Sequence, residues 1–126
     1  MFNMICSNLE IKNNILFFAG HSTKDLAEKY GSPIYVMDEQ KIREKCRKYV
    51  RAMKQYFGEN AKPFFASKAC SFKKIYNIVE SEGMCADVVS CGEIYTAMKS
   101  GFNMQNVCFH SNSKNDYDIN FAMDCG

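Results

Sequence analysis

Three segments of the chain repeat one design, a short β-rich run followed by an amphipathic helix that a glycine closes. Phe64–Lys68 leads into a helix from Ser71 that turns Phe72, Ile75, Ile78 and Val79 inward and stops at Gly83. Ala86–Ser90 leads into one carrying Ile94, Ala97 and Met98 and stopping at Gly101. Val107–His110 leads into one carrying Ile119, Ala122 and Met123 and ending near Gly126. The predicted strands begin 22 and 21 residues apart, the period of a compact βα unit. Strand–helix–strand connections of this kind make parallel neighbours with right-handed crossovers. Continuous apolar strands are expected where both faces of a sheet are covered. The class is therefore α/β, as an open doubly wound sheet or a (β/α)8 barrel. A closed barrel needs eight strands and about 250 residues, so a barrel would be present only in part.

The first third is built differently. Leu9–Ile11 and Ile15–Phe18 read as strands, and Ser22 or Thr23 can cap a helix carrying Leu26, Ala27 and Tyr30 that Gly31 and Pro33 stop. Pro33–Met37 reads as a strand. Asp38 can cap a long helix with Ile42, Cys46, Tyr49, Val50, Met53 and Phe57 at helical spacing, ended by Gly58. Along it Lys41, Arg43, Lys45, Arg47, Lys48, Arg51 and Lys54 outnumber Glu44, the single acid between them. That basic face is either a solvated outer surface or a site for acidic or phosphate-rich partners.

Net charge is +2, from 16 Lys and Arg against 14 Asp and Glu, so no global field draws the chain to nucleic acid or an anionic membrane. The longest apolar run, Ile15–Ala19, falls far short of the roughly 20 residues of a membrane helix. The first basic residue, Lys12, comes too late for a secretory leader, so a cytoplasmic protein is expected. Seven cysteines without a CxxC pair read as reduced thiols rather than a disulfide or metal framework.

In either α/β architecture ligands bind at the carboxyl ends of the parallel strands. That rule selects Ser67-Lys68-Ala69, Ser90-Cys91-Gly92-Glu93 and His110-Ser111-Asn112-Ser113-Lys114. Lys68, partly desolvated at a strand end, is either a nucleophilic amine suited to carbonyl chemistry or a lysine reaching for water. Asp87 can be a structural carboxylate, Glu93 a first-turn helix charge and His110 a core imidazole. Location is legible at this level, and reaction is not. No GxGxxG follows any strand, which removes a Rossmann-like nucleotide site.

Four collinear motifs carry a resemblance. Gly31-Ser-Pro-Ile-Tyr-Val-Met-Asp-Glu39, Phe65-Ala-Ser-Lys-Ala69, Ala86-Asp-Val-Val-Ser-Cys-Gly-Glu93 and Phe109-His-Ser-Asn-Ser-Lys114 resemble the pyridoxal-phosphate-dependent diaminopimelate decarboxylases, from about Leu9 to Gly126. The resemblance implies a partial alanine-racemase-like (β/α)8 TIM barrel, cut after its first few βα units. Residues 1–38 would be an arm that joins a C-terminal β-domain, and 39–126 the first part of the cofactor-binding barrel. Lys68 would be the catalytic lysine holding pyridoxal 5′-phosphate covalently, with Asp87, Ser90, Glu93, His110 and Asn112 around the cofactor and no metal. Cys91 stands where the family usually has glycine, and Ser111 and Ser113 replace a glycine and an asparagine. The implied reaction converts meso-2,6-diaminopimelate, a small amino acid, to L-lysine and CO2 in a complete, homodimeric protein without nucleic-acid or membrane partners. The present chain would be an N-terminal fragment inactive alone. Ornithine and arginine decarboxylases share the lysine strand, but the Phe109–Lys114 loop favours the diaminopimelate branch. A non-catalytic truncated binding module, built on the basic helix, is the reading from another class.

Overall fold

The structure is a computed structural model that describes residues 6–126. The chain divides into two compact units, one reaching to Lys41 and the other spanning Ile42–Gly126.

In the first unit β1 (Leu9–Lys12), β2 (Ile15–Phe18) and β3 (His21–Ser22) form an antiparallel meander in that order. The β1–β2 turn is two asparagines at φ 50° and 60°, the left-handed pair that a tight hairpin requires and that asparagine tolerates. Ser22 closes β3 and caps α1 (Thr23–Tyr30) by accepting the Asp25 N–H at 3.2 Å. The expected strand over Pro33–Met37 is not formed. Its backbone pairs with no strand among the described residues, and Tyr35 is fully exposed. A strand exists by its ladder, and β-propensity alone does not supply one. Asp38 caps the following helix as expected, its Oδ1 accepting the Lys41 N–H at 3.0 Å. The Asn8 amide donates to Oδ2 at 2.9 Å, and these bonds hold the Asp38 carboxyl below its usual range.

The second unit starts within α2 (Glu39–Phe57) and runs through β4 (Phe64–Ala66), α3 (Lys73–Ser81), β5 (Cys85–Val88), α4 (Cys91–Ser100), β6 (Val107–Phe109) and α5 (Asp116–Asp124). Strands β4, β5 and β6 are parallel and neighbour one another in sequence order. Register aligns Phe65 with Ala86 and Val107, and Val88 with Phe109. This face packs on Ile42 and Cys46 of α2, Ile75, Tyr76 and Val79 of α3, Ile94 and Ala97 of α4, and Phe121 and Ala122 of α5. Sequential strands with helices packed on one face make a barrel wall, whereas a doubly wound sheet is covered on both. The other face carries Phe64, Ala66, Asp87 and Cys108. Phe64 and Cys108 lie exposed there while Cys85, the register partner of Phe64, is buried, so the described residues cover this second face only in part.

Three helix expectations shift. Helix α3 starts at Lys73, and Phe72 is its exposed N-cap residue rather than an inward one; Tyr76 and its neighbours fill the core. In α5 Ile119 and Met123 are exposed while Phe121, Ala122 and Cys125 face the core. That helix is apolar at most positions, so its period was ambiguous, and the bulk of Phe121 decides its face. On α2 Tyr49 and Phe57 are exposed although Ile42, Cys46 and Val50 pack inward. Its basic face is partly committed within the unit, because Arg43 and Arg47 reach Glu82 at 2.9 and 2.6 Å. All seven cysteines are free thiols, Cys46 and Cys85 buried, Cys6 and Cys108 exposed.

Candidate functional site

The site is built at the carboxyl ends of β4, β5 and β6. Strand β4 ends at Ala66, two residues before the expected end at Lys68, and Ser67–Ala69 turn out of it as a short 3-10 helix. Lys68 rides on that turn, two positions beyond Ala66, the Cα partner of Asp87. The side chain is exposed rather than partly desolvated, and it makes no hydrogen bond or ion pair among the described residues. Leaving the strand in a turn carries it past the layer in which burial would occur.

Ser67, the residue before it, is fully buried. Its Oγ stands 2.6 Å from Glu93 Oε2 and 2.9 Å from the Asp87 carbonyl oxygen, so a single hydroxyl hydrogen serves both acceptors. Glu93 lies in the first turn of α4, where the helix end favours a negative charge. Its Oε2 also accepts the Val89 N–H at 2.8 Å. Tyr76 donates from its hydroxyl to the Glu93 carbonyl at 3.3 Å and lies 3.1 Å from Ser71 Oγ. Glu93 therefore joins the end of β4 to the loop after β5. Ser90 has a specific local duty: it is the N-cap of α4, its Oγ accepting the Glu93 N–H at 3.3 Å.

Asp87 and His110 approach from adjacent strands, Asp87 Oδ2 lying 4.0 Å from His110 Nδ1. His110 extends the ladder by donating its N–H to the Val88 carbonyl at 2.9 Å, but its ring is largely exposed. It is not a core imidazole. Asp87 Oδ1 is buried without a hydrogen-bond partner among the described residues. An unpartnered carboxylate oxygen is costly to bury, and a cationic group arriving at the strand ends would satisfy it. An exposed amine after one strand and an unpartnered acidic oxygen on the neighbouring strand fit a carbonyl cofactor that carries a cationic centre. Asn112 is exposed and is not brought to the other candidates. Beyond it Lys114 folds back, donating to the Phe109 carbonyl at 3.0 Å with its ammonium 5.0 Å from the Phe109 ring centre.

The two departures from glycine cause no backbone strain. Among the described non-glycine residues only Asn13, Asn14 and Ala19 have positive φ, so Cys91 and Ser111 adopt ordinary backbone. Cys91 opens α4 and donates from Sγ to Asp118 Oδ1 at 3.1 Å, a bond that together with burial pushes its thiol up. Asp118 is held low chiefly by the Asn115 N–H it accepts in the capping box of α5, and next by Cys91. Sequence reasoning did not single out Ser67. Its signal was present, since a polar residue ending an apolar strand must find a partner if buried. Among the described residues no cluster of three or more His, Cys, Asp or Glu could hold a metal ion, and no helix is long and apolar enough to cross a membrane.

Residues 39–126 match the family described as pyridoxal-dependent decarboxylase, pyridoxal binding domain. The chain is 39% identical to diaminopimelate decarboxylase of Methanothermobacter thermautotrophicus over 113 residues, covering 88% of this chain and 26% of that protein. It is 38% identical to the Staphylococcus aureus enzyme of the same name, covering 90% of this chain and 27% of that protein. Among solved structures it resembles diaminopimelate decarboxylase from M. jannaschii in complex with L-lysine, with a TM-score of 0.83, 34% identity, and coverage of 94% of this chain and 28% of that one. Lysine/ornithine decarboxylase from Vibrio vulnificus, at 22% identity and a TM-score of 0.73, shares the fold. The chain thus spans about a quarter of the length of the curated relatives it matches.

Proposed function

The chain belongs to the pyridoxal-dependent decarboxylases by its pyridoxal-binding domain, and from that premise we propose that Lys68 holds pyridoxal phosphate covalently in an enzyme that converts meso-2,6-diaminopimelate to L-lysine and CO2. The observation that carries this is the strand-end constellation. An exposed amine follows β4 two positions beyond Ala66, whose register partner Asp87 carries a buried oxygen without a hydrogen-bond partner among the described residues.

Bound there, pyridoxal phosphate supplies an electron sink for the pair left when the substrate carboxylate departs as CO2. The protein's own residues do the rest. The Lys68 amine, unpaired among the described residues, would hold the cofactor through its aldehyde group. Asp87 Oδ1 receives a cationic centre, and His110, 4.0 Å from Oδ2, borders that carboxylate on the β6 side. Glu93 and Ser90 fix the loop after β5, and Asn112 presents an amide from the loop after β6. A proton added at the carbon that lost CO2 completes L-lysine.

In the same reading residues 1–38 are an arm that joins a C-terminal β-domain, 39–126 begin the barrel, and the complete enzyme is a cytoplasmic homodimer. The diaminopimelate branch is favoured over the ornithine and arginine branches by the relatives at 38–39% identity and by the Phe109–Lys114 loop. The Arg43 and Arg47 pairs to Glu82 count against a binding module built on the basic helix. Borohydride reduction of the complete, cofactor-loaded protein followed by peptide mass mapping tests the assignment. A pyridoxyl group on Lys68 supports it, and one on another lysine overturns it. Release of CO2 from ornithine or arginine at a rate matching that from meso-diaminopimelate overturns the substrate.

A further inference from the structure

We propose that Ser67 is a positioning residue for Lys68, acting through a latch with Glu93; the proposal rests on Lys68 being the cofactor lysine. The turn that carries Lys68 is weakly held by its own backbone. Its last backbone bond runs from the Cys70 N–H to the Ser67 carbonyl at 3.0 Å, and 3-10 geometry is poorer than that of an α-helix. What ties the turn to the rest of the sheet is the side chain before the lysine. Ser67 Oγ is buried and lies 2.6 Å from one carboxylate oxygen of Glu93, a short bond to an acidic acceptor.

That same oxygen accepts the Val89 N–H at 2.8 Å, so one atom gathers the end of β4 and the loop that follows Asp87. Ser67 also lies 2.9 Å from the Asp87 carbonyl. The hydroxyl therefore sets the spacing between the lysine turn and the aspartate's own backbone. Ser67→Ala removes that side-chain tie, and the turn carrying Lys68 is then less closely held to the backbone of Asp87. A serine that merely satisfied its own burial would affect stability alone.

The test uses the complete protein stripped of cofactor. Pyridoxal phosphate is added, and two quantities are read after borohydride quenching: the rate of attachment at Lys68, and the share of label on other lysines. Melting temperature is followed in parallel. Ser67→Ala should slow attachment at Lys68 about tenfold and raise the off-site share, the effect of losing one charged hydrogen bond. Glu93→Ala should act similarly, and the double variant should be no slower than the slower single one, because both remove the same latch. Glu93→Gln should be at least threefold faster than Glu93→Ala, since one amide oxygen can accept both hydrogens. Ser67→Cys fills the buried site with a weaker donor and should show the same direction at smaller amplitude. Attachment at the wild-type rate in both Ser67 variants, or multiplicative effects of Ser67→Ala and Glu93→Ala, would overturn the latch. Wild-type protein labelled elsewhere than Lys68 overturns the cofactor reading and the latch together.

Discussion

Asp87 Oδ2 and His110 Nδ1 meet at 4.0 Å from residues that are not register partners: Asp87 pairs with Cys108, and His110 lies two residues further along β6. The aspartate therefore reaches toward the strand ends, where Lys68 turns out. Its second oxygen is buried without a partner, which marks it as the group awaiting a cation. In the complete protein, Asp87→Asn should retain the fold and reduce pyridoxal phosphate retention about tenfold or more, read by dialysis and absorbance. Unchanged retention would show that the orphaned oxygen faces nothing charged.

Glu82 gives the fold an acid-sensitive point. The Arg47 side chain, then Arg43, hold its carboxyl down to about 2 from the usual 4.5. A depressed carboxyl contributes stability that is present above its unfolded value and is lost as pH falls through the folded one. Thermal melting should therefore drop between pH 5 and pH 2, and Glu82→Gln should flatten that slope while lowering the melting temperature at pH 7. Added salt should narrow the difference. A variant with the wild-type acid slope would remove the Arg pairs from this role.

Core substitutions should rank by burial. Ile94 packs in the middle of the cluster, and Ile94→Ala should cost about 2–5 kcal/mol in urea unfolding followed by circular dichroism. Tyr76→Phe keeps the ring against Phe102 and loses the bond to the Glu93 carbonyl, a cost of about 1 kcal/mol. Exposed Met123→Ala should fall within about 0.5 kcal/mol of wild type. An Ile94→Ala effect as small as that of Met123→Ala would contradict the packing described.

Expressed as its 126 residues, the chain should self-associate and release no CO2 with added cofactor. The sheet face of Phe64 and Cys108 is open, and Ile34–Met37 offers an exposed, unpaired apolar segment. A monodisperse species by light scattering with decarboxylase activity would overturn this.

What the sequence made legible was whatever depends on local order. The period of the βα units, the Ser22 and Asp38 caps, and the glycine stops are written in neighbouring residues. The site's location followed from topology, because strand ends are where such folds bind ligands. What could not be read depends on contacts between distant residues. Pro33–Met37 has strand composition, yet only a neighbour makes a strand. The face of α5 was set by Phe121 against a core that periodicity cannot see. Lys68 proved exposed because the chain turns at Ser67, and that turn is tied by a glutamate 26 positions away. The catalytic assignment itself came from motifs resembling a family, and the burial of Ser67 emerged only in three dimensions.

The distribution of thiols turns the fold into its own reporter. Cys6 and Cys108 stand in solvent, Cys46 and Cys85 are buried with desolvation pushing their thiols up, and Cys91 is kept protonated by its bond to Asp118. Alkylation proceeds through the thiolate, so a brief pulse of maleimide strikes the first pair while the others lag. Mass spectrometry of the modified peptides then reads, cysteine by cysteine, which layer of the protein opens first under heat or denaturant, with no residue substituted.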